Sequence, residues 1–291
     1  MLMIRKGLMR LYFQFRKQVD TRYNGEFGYE LISVIPFAHW LYKQGKLNNT
    51  YSAVDTKCLY FFSKNHHEIF KERNYVIPKK FPIDNIHRRF LNTFTMWSPP
   101  DYKAHFSNTK FIYDKPICII CNKYNSEWGF SPITFLNIDL LETLFKTLTP
   151  YYKVIYCRPV STEISNDNSE VYDLKEHNWI RENYPDVSLI QDIHKQNPNL
   201  TFNELQFMLF ANSNHFISTQ GGYSILCSYF KGTNIIYGAK SKKKTALDIV
   251  YKTYSRWYHR FSGATIRYAP TYDSLITQVS LNFLSKLKIK N

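Results

Sequence analysis

From Ile117 onward the chain alternates two kinds of segment. Short continuous apolar runs, "ICIIC", "YKVIYC", "VSLI", "HFIST" and "TNIIYG", predict strands buried on both faces. Between them, apolar residues recur every three or four positions in "NIDLLETLFKTLT", "DLKEHNWIRENYP", "NELQFMLFANS", "YSILCSYFK" and "YDSLITQVSLNFLSKL", which predicts helices. The helix ends are marked. Asn137 is a candidate N-cap and Pro150 a stop; Thr201 and Glu204 stand at capping-box spacing; Gly232 is placed as a C-cap. Strand–helix alternation of this kind predicts an α/β fold with a doubly wound parallel sheet in the C-terminal half.

The first half is less regular. "RYNGEFGYELISVIPFAHWLYKQG" is a glycine-bearing loop entering a helix, with Leu31, Ile32, Ile35 and Leu41 at helical spacing and Gly45 as its end. "CLYFFS" predicts a strand. The polar, proline-bearing stretch Thr95–Pro116 separates the halves. The expected organisation is therefore a smaller α/β domain over 1–110 and the doubly wound domain over 111–291.

Composition narrows the partners. With 44% apolar and 17% aromatic residues, the 291-residue chain has material for a core and is unlike a disordered sequence. A net charge of +15 favours anionic partners: phosphorylated small molecules, an acidic membrane or nucleic acid. The cations are spread along the chain and no nucleic-acid motif is present, so no nucleic acid is expected; a basic nucleic-acid-binding protein stands as an alternative. Five cysteines in mostly apolar surroundings do not form a disulfide framework. Cys118 and Cys121 spell C-x-x-C, but a strand turns them to opposite faces and no second ligand pair follows, so no metal is expected. The opening "MLMIRKGLMRLYFQFRKQV" is interrupted by charge too often for a signal peptide or a membrane span. It either packs on its own domain or lies on an anionic membrane as an amphipathic helix. The expected location is cytoplasmic, with peripheral membrane contact as the other use of this segment.

In open α/β sheets, ligands bind beyond the carboxyl ends of the strands. Four loops there carry candidate chemistry. In "STQGGYS", Ser218, Gln220, Gly221, Gly222 and Ser224 are either a phosphate cradle at a helix start or a tight packing turn. In "VIYCRPVS", Arg158 is either a bidentate diphosphate clamp or the partner of a neighbouring helix. "CNKYNSEWGFSP" offers Asn122, Lys123, Tyr124 and Glu127 for a sugar, base or phosphate, or is a polar loop anchored by Trp128. In "NGEFGYE", Glu26 between Gly25 and Gly28 is either a general base or a ligand for the N–H groups of the helix start; Glu30 is a helix-dipole carboxylate. Asp192, His194 and Glu204 stand at further strand exits or helix starts and are expected to border the cleft. "KSKKK", Lys240–Lys244, is a solvated loop. The P-loop, G-x-G-x-x-G, G-x-S-x-G and D-x-D patterns are absent.

"NGEFGYELISVIPFAHWL" resembles the opening of GT-B-type glycosyltransferases, in which fucosyltransferases and heptosyltransferases pass from a glycine loop into a helix. "ANSNHFISTQGGYSILCSYFKGTNIIYG" is similar to the donor-binding segment of their second domain, and "YKVIYCRP" and "NKYNSEWG" resemble segments of bacterial and viral glycosyltransferase-like proteins. The fucosyltransferase H-x-R-x-G-D-like segment is not matched. The resemblance implies two Rossmann-like domains with the active site between them: an acceptor-side domain, 1–110, and a nucleotide-sugar-binding domain, 111–291. It implies a hexosyl- or fucosyl-type transferase that acts on a glycan, glycolipid or glycoprotein. The nucleotide-sugar is a co-substrate, and neither cofactor nor metal is called for. Lys123, Arg158 and the "STQGGYS" turn would hold the donor diphosphate, and Glu26 would serve the acceptor. A catalytically silent nucleotide- or sugar-binding homologue is the alternative.

Overall fold

The computed structural model describes residue 8 and residues 11–74, 96–126, 131–158, 171–239 and 255–285, with side chains from 258 in the last stretch. These residues divide into two compact units that meet in sequence at Pro100 and Asp101. The boundary is earlier than the expected 110. The ring of Tyr102 is fully buried against Phe207, Tyr229 and Phe230, and Asn108 exchanges hydrogen bonds with Asn212. Residues 101–110 thus fold onto the second unit. Their polar composition marks a seam without marking which side owns it.

The first unit has three parallel strands in sequential order: β1 (Val19–Arg22), β2 (Leu47–Ala53) and β3 (His66–Phe70). Between β1 and β2 runs a helix in three pieces: an α turn Phe27–Tyr29, a π-helical stretch Glu30–Val34, and α1 (Ile35–Lys43). Leu31, Ile32, Ile35 and Leu41 are buried, and Gly45 ends the helix at φ +67°. Pro36 has no N–H to give the Ile32 carbonyl one turn back. The indole of Trp97 supplies that donor, Nε1 to Ile32 O at 2.8 Å, while the Ser98 N–H bonds the Pro36 carbonyl at 3.0 Å. The predicted strand "CLYFFS" is instead a 3₁₀ turn, Lys57–Tyr60. Glu68 fixes its start by accepting the N–H groups of Thr56 and Lys57. Cys58, Leu59 and Tyr60 are all buried, and an apolar run alone does not separate a strand from a buried turn.

The second unit holds α2 (Tyr102–Phe106), β4 (Ile117–Cys121), α3 (Ile138–Leu148), β5 (Lys153–Cys157), α4 (Glu176–Asn183), β6 (Ser188–Leu189), α5 (Ile190–Lys195), α6 (Phe202–Ala211), β7 (His215–Thr219), α7 (Gly222–Cys227), β8 (Thr233–Tyr237), β9 (Thr265–Ala269) and α8 (Tyr272–Val279). Its six strands are all parallel in the order β6-β5-β4-β7-β8-β9. Counted within the unit this is 3-2-1-4-5-6, the order of a Rossmann-like sheet. Cys118, Ile120, Val154, Tyr156, Ile217 and Ile235 face α3, α4 and α8. On the other face Phe216 meets Phe210 of α6 and Phe230 after α7. The sheet is therefore doubly wound. Cys121 turns away from Cys118, and its Sγ lies 3.7 Å from that of Cys227. Asn137 caps α3 through the Leu140 N–H, and Thr201 caps α6 through the Glu204 N–H. The edge strand β9 is not predicted by apolar content, because only alternate residues are covered. No helix of the described residues is long and apolar enough to cross a membrane.

Trp97→Phe keeps a ring and removes the donor that replaces the missing N–H of Pro36. The expected loss is about 1 kcal/mol of stability, seen as a lower urea midpoint at unchanged m-value. An unchanged midpoint would mean that water serves the Ile32 carbonyl equally well.

Candidate functional site

β4 and β7 are neighbours, but the chain leaves them for opposite flanks of the sheet. Beyond their carboxyl ends lies the crevice in which such sheets bind ligands. The loop after β4 brings Lys123 to this point and the turn after β7 brings Gln220, Gly221 and Gly222; all four are half-buried. A side-chain carbon on Gly221 would lie 3.6 Å from Lys123 Nζ. Gly221 has φ 124° and ψ −152°, a conformation essentially confined to glycine. Gly222, the first residue of α7, is not among the residues at positive φ. Of the glycine pair, Gly221 is therefore the one the backbone requires. The Gln220 N–H bonds Tyr237 O at 3.0 Å, which ties the turn to β8.

The residues beneath the crevice are engaged with one another. Asn122 is fully buried. Its Nδ2 donates to Leu136 O and to Tyr156 Oη, and its Oδ1 accepts the N–H groups of Lys123 and Leu136, all at 2.9 Å. Tyr156 donates in turn to Glu176 Oε1 at 3.1 Å; burial and then the Glu176 charge raise its pKa far above the usual phenol range, so the donor proton is kept. Arg158, 3% exposed, is the ion-pair partner of Glu176. Its Nε bonds Oε1, Nη2 bonds Oε2 at 3.1 Å, and Nη1 donates to Tyr172 O at 3.3 Å. The expected diphosphate clamp is thus corrected: the guanidinium is committed to α4, the alternative weighed from the sequence. Ser218 and Ser224 also turn inward. Ser218 Oγ donates to Asn234 Oδ1 and Ser224 Oγ to Gly221 O, both at 2.8 Å, while Asn234 Nδ2 donates to Ser224 O and Ser228 Oγ. They shape the turn from within. Tyr124 packs edge-on against Phe135 and its carbonyl accepts the Tyr172 N–H.

Asp192 and His194 are not at the crevice. Arg181 holds Asp192 with two hydrogen bonds of 2.9 Å, and these lower its pKa. Asp192 lines a groove of about 680 Å³ with Lys115 and Lys153, at the starts of β4 and β5 rather than their ends. His194 Nε2 lies 2.9 Å from Leu200 O and links α5 to α6. Glu204 gives its N–H to the Thr201 cap. Glu127, Trp128 and Lys240–Lys244 lie outside the described residues.

In the first unit, Glu26 is the N-cap of the turn Phe27–Tyr29, its Oε1 accepting the Gly28 N–H at 3.0 Å. A side chain at Gly28 would come within 2.7 Å of that oxygen, so the glycine makes room for the cap. Gly25 O accepts Arg73 Nη1 at 3.0 Å, and Arg73 Nη2 pairs with Glu30 Oε2 at 2.6 Å. Glu30, fully buried, also receives the hydroxyls of Ser52 and Tyr60 on Oε1. It is the centre of a buried network, not a helix-dipole carboxylate. Arg73, Tyr156 and Glu176 were not legible as site supports: each lies in an unremarkable stretch of sequence, and only the fold brings it to its partner.

The chain is similar to a solved structure of E. coli ADP-heptose LPS heptosyltransferase II, with a TM-score of 0.55 and 8% identity over 94% of this chain and 98% of that one. At that identity the likeness shows the fold, and it agrees with the resemblance carried by the loop motifs. No family model matches the chain, and no curated protein matches it.

Arg158→Ala leaves the Glu176 carboxylate buried without its counter-charge. The expected cost is about 3–5 kcal/mol, measured by chemical denaturation, and Arg158→Lys should recover only part of it because the two-point geometry is lost. A variant as stable as the parent would show that the pair is dispensable.

Proposed function

We propose that the protein is a metal-independent glycosyltransferase of the GT-B type, moving a sugar from a nucleotide-activated donor to a hydroxyl of a glycan, glycolipid or glycoprotein. The observation that carries this reading is the crevice between β4 and β7, where the ammonium of Lys123 stands beside the glycine-only backbone of Gly221. That combination suits a diphosphate: a cation close by, and a backbone turn that no side chain screens. The leaving nucleoside diphosphate would be stabilised by Lys123 and by the N–H groups at the start of α7. The fold shared with the ADP-heptose LPS heptosyltransferase II structure supports the same class of donor. Gln220 is the side chain next in line to contact the donor.

Nucleotide-sugars carrying UDP, GDP, ADP or CMP should be screened by thermal shift, since a ligand of the native state raises its melting temperature. One of them is expected to do so, and Lys123→Ala should weaken it at least tenfold, or ~1.4 kcal/mol. If none moves the transition, the proposal fails.

Glu26 is the carboxylate proposed to take the acceptor proton. Its engagement with Gly28 also favours a second reading, a nucleotide-sugar-binding protein without turnover. Glu26→Gln separates them, because an amide oxygen still caps the turn but takes no proton. With whichever nucleotide-sugar stabilises the protein, kcat should fall by about 100-fold or more at nearly unchanged melting temperature. Full turnover in this variant would confine Glu26 to capping.

A further inference from the structure

Ten large apolar side chains are exposed among the described residues, and four of them fall between Leu8 and Phe15. Residues 11–15 are helical, as is residue 8. Leu8, Leu11, Tyr12 and Phe15 have the i, i+3, i+4, i+7 spacing of one helix face and are 62%, 50%, 52% and 81% exposed. The opposite side is already used. Phe13 is buried edge-on against Phe37, in a cluster with Val34, Leu41 and Met96. Lys46 Nζ covers the carbonyls of Phe13 and Gln14 at 2.9 and 2.7 Å. The segment is therefore fastened by one side and presents an apolar stripe on the other.

The stripe falls in a basic stretch of the sequence. Arg5, Lys6, Arg10, Arg16 and Lys17 precede the first carboxylate of the chain, Asp20. The guanidinium of Arg16 lies 4.9 Å from the centre of the Tyr12 ring. A second copy docked on this face would bring its own exposed Arg16 and Lys17 against these, so self-association here is opposed by charge. We propose that this face docks the protein on an anionic lipid surface, with Leu8, Leu11, Tyr12 and Phe15 entering the acyl boundary and the flanking Arg and Lys residues meeting the headgroups. This surface is independent of the crevice and of the activity proposed for it.

The full chain should be sedimented with vesicles of phosphatidylcholine containing about one-third phosphatidylglycerol, and with vesicles of phosphatidylcholine alone. Binding is expected to the first and to be weak to the second. Leu11→Ser with Phe15→Ser, and separately Arg16→Glu with Lys17→Glu, should each lower the bound fraction at least about tenfold. Melting temperature should stay unchanged, because these side chains are exposed. Equal binding to both vesicles, or full binding by either variant, overturns the proposal. So does lipid-free association that the same substitutions abolish, which would assign the face to a second copy.

Discussion

A parallel sheet whose order reverses between two neighbouring strands leaves a gap at their carboxyl ends. No crossover helix can cover both ends, because the chain departs from β4 toward β5 and from β7 toward β8 on the other flank. Most of what distinguishes the second unit answers to that opening. The backbone there still has polar groups to satisfy without a strand or helix to satisfy them. Asn122 does this for the exit of β4, spending both ends of its amide on the segment around Leu136 and on Lys123. On the exit of β7, Thr219 Oγ1 reaches Cys121 O and Gln220 reaches β8, and the chain turns at Gly221 in a conformation a side chain would resist.

The two units solve the problem of holding such loops with the same device. In each, a fully buried glutamate is paired with an arginine and receives a tyrosine hydroxyl: Glu30 with Arg73 and Tyr60, Glu176 with Arg158 and Tyr156. In each, the arginine also donates to a loop carbonyl, Gly25 O in one and Tyr172 O in the other. Such pairs contribute little net stability over an apolar core of the same shape, since desolvation offsets most of the attraction. What they provide is geometry. A carboxylate with two acceptor atoms and a guanidinium with fixed donors permit one arrangement of the backbone they join. The loops that carry Glu26 and Tyr124 are therefore set by charges that never reach solvent.

Elements were legible in the sequence where burial is two-sided or a cap is present. β4, β5, β7 and β8 read as continuous apolar runs because both faces are covered, and α3 and α6 were bounded by Asn137 and Thr201 acting locally. β9 escaped because an edge strand covered at alternate residues loses the run, and Lys57–Tyr60 was misread because a buried 3₁₀ turn keeps it. The site divides in the same way. Lys123 and Gly221 belong to loops that local sequence identifies as strand exits, and the fold brings those exits together. Arg158 was located correctly and its partner was not, since Glu176 is supplied by a different helix across a segment with no local signal. Residue type and position at a strand end describe what a side chain is able to do. Which of those abilities is used depends on the neighbour that arrives first.

That distinction changes the electrostatics of the crevice. With Arg158 neutralised by Glu176, the basic balance of +15 does not reach it through that arginine. Lys123 is the other cation named from the sequence for the donor, and its ammonium stands beside the turn. An ammonium is a point charge with rotatable donors, without the planar two-point match of a guanidinium. Under the proposed reading, orientation of a diphosphate would then fall to the backbone N–H groups around Gly221, and the lysine would supply attraction. This makes conformation, not charge count, the demanding part of the site: a lysine is replaceable by another cation within reach, whereas a glycine held at φ 124° has no side-chain-bearing substitute.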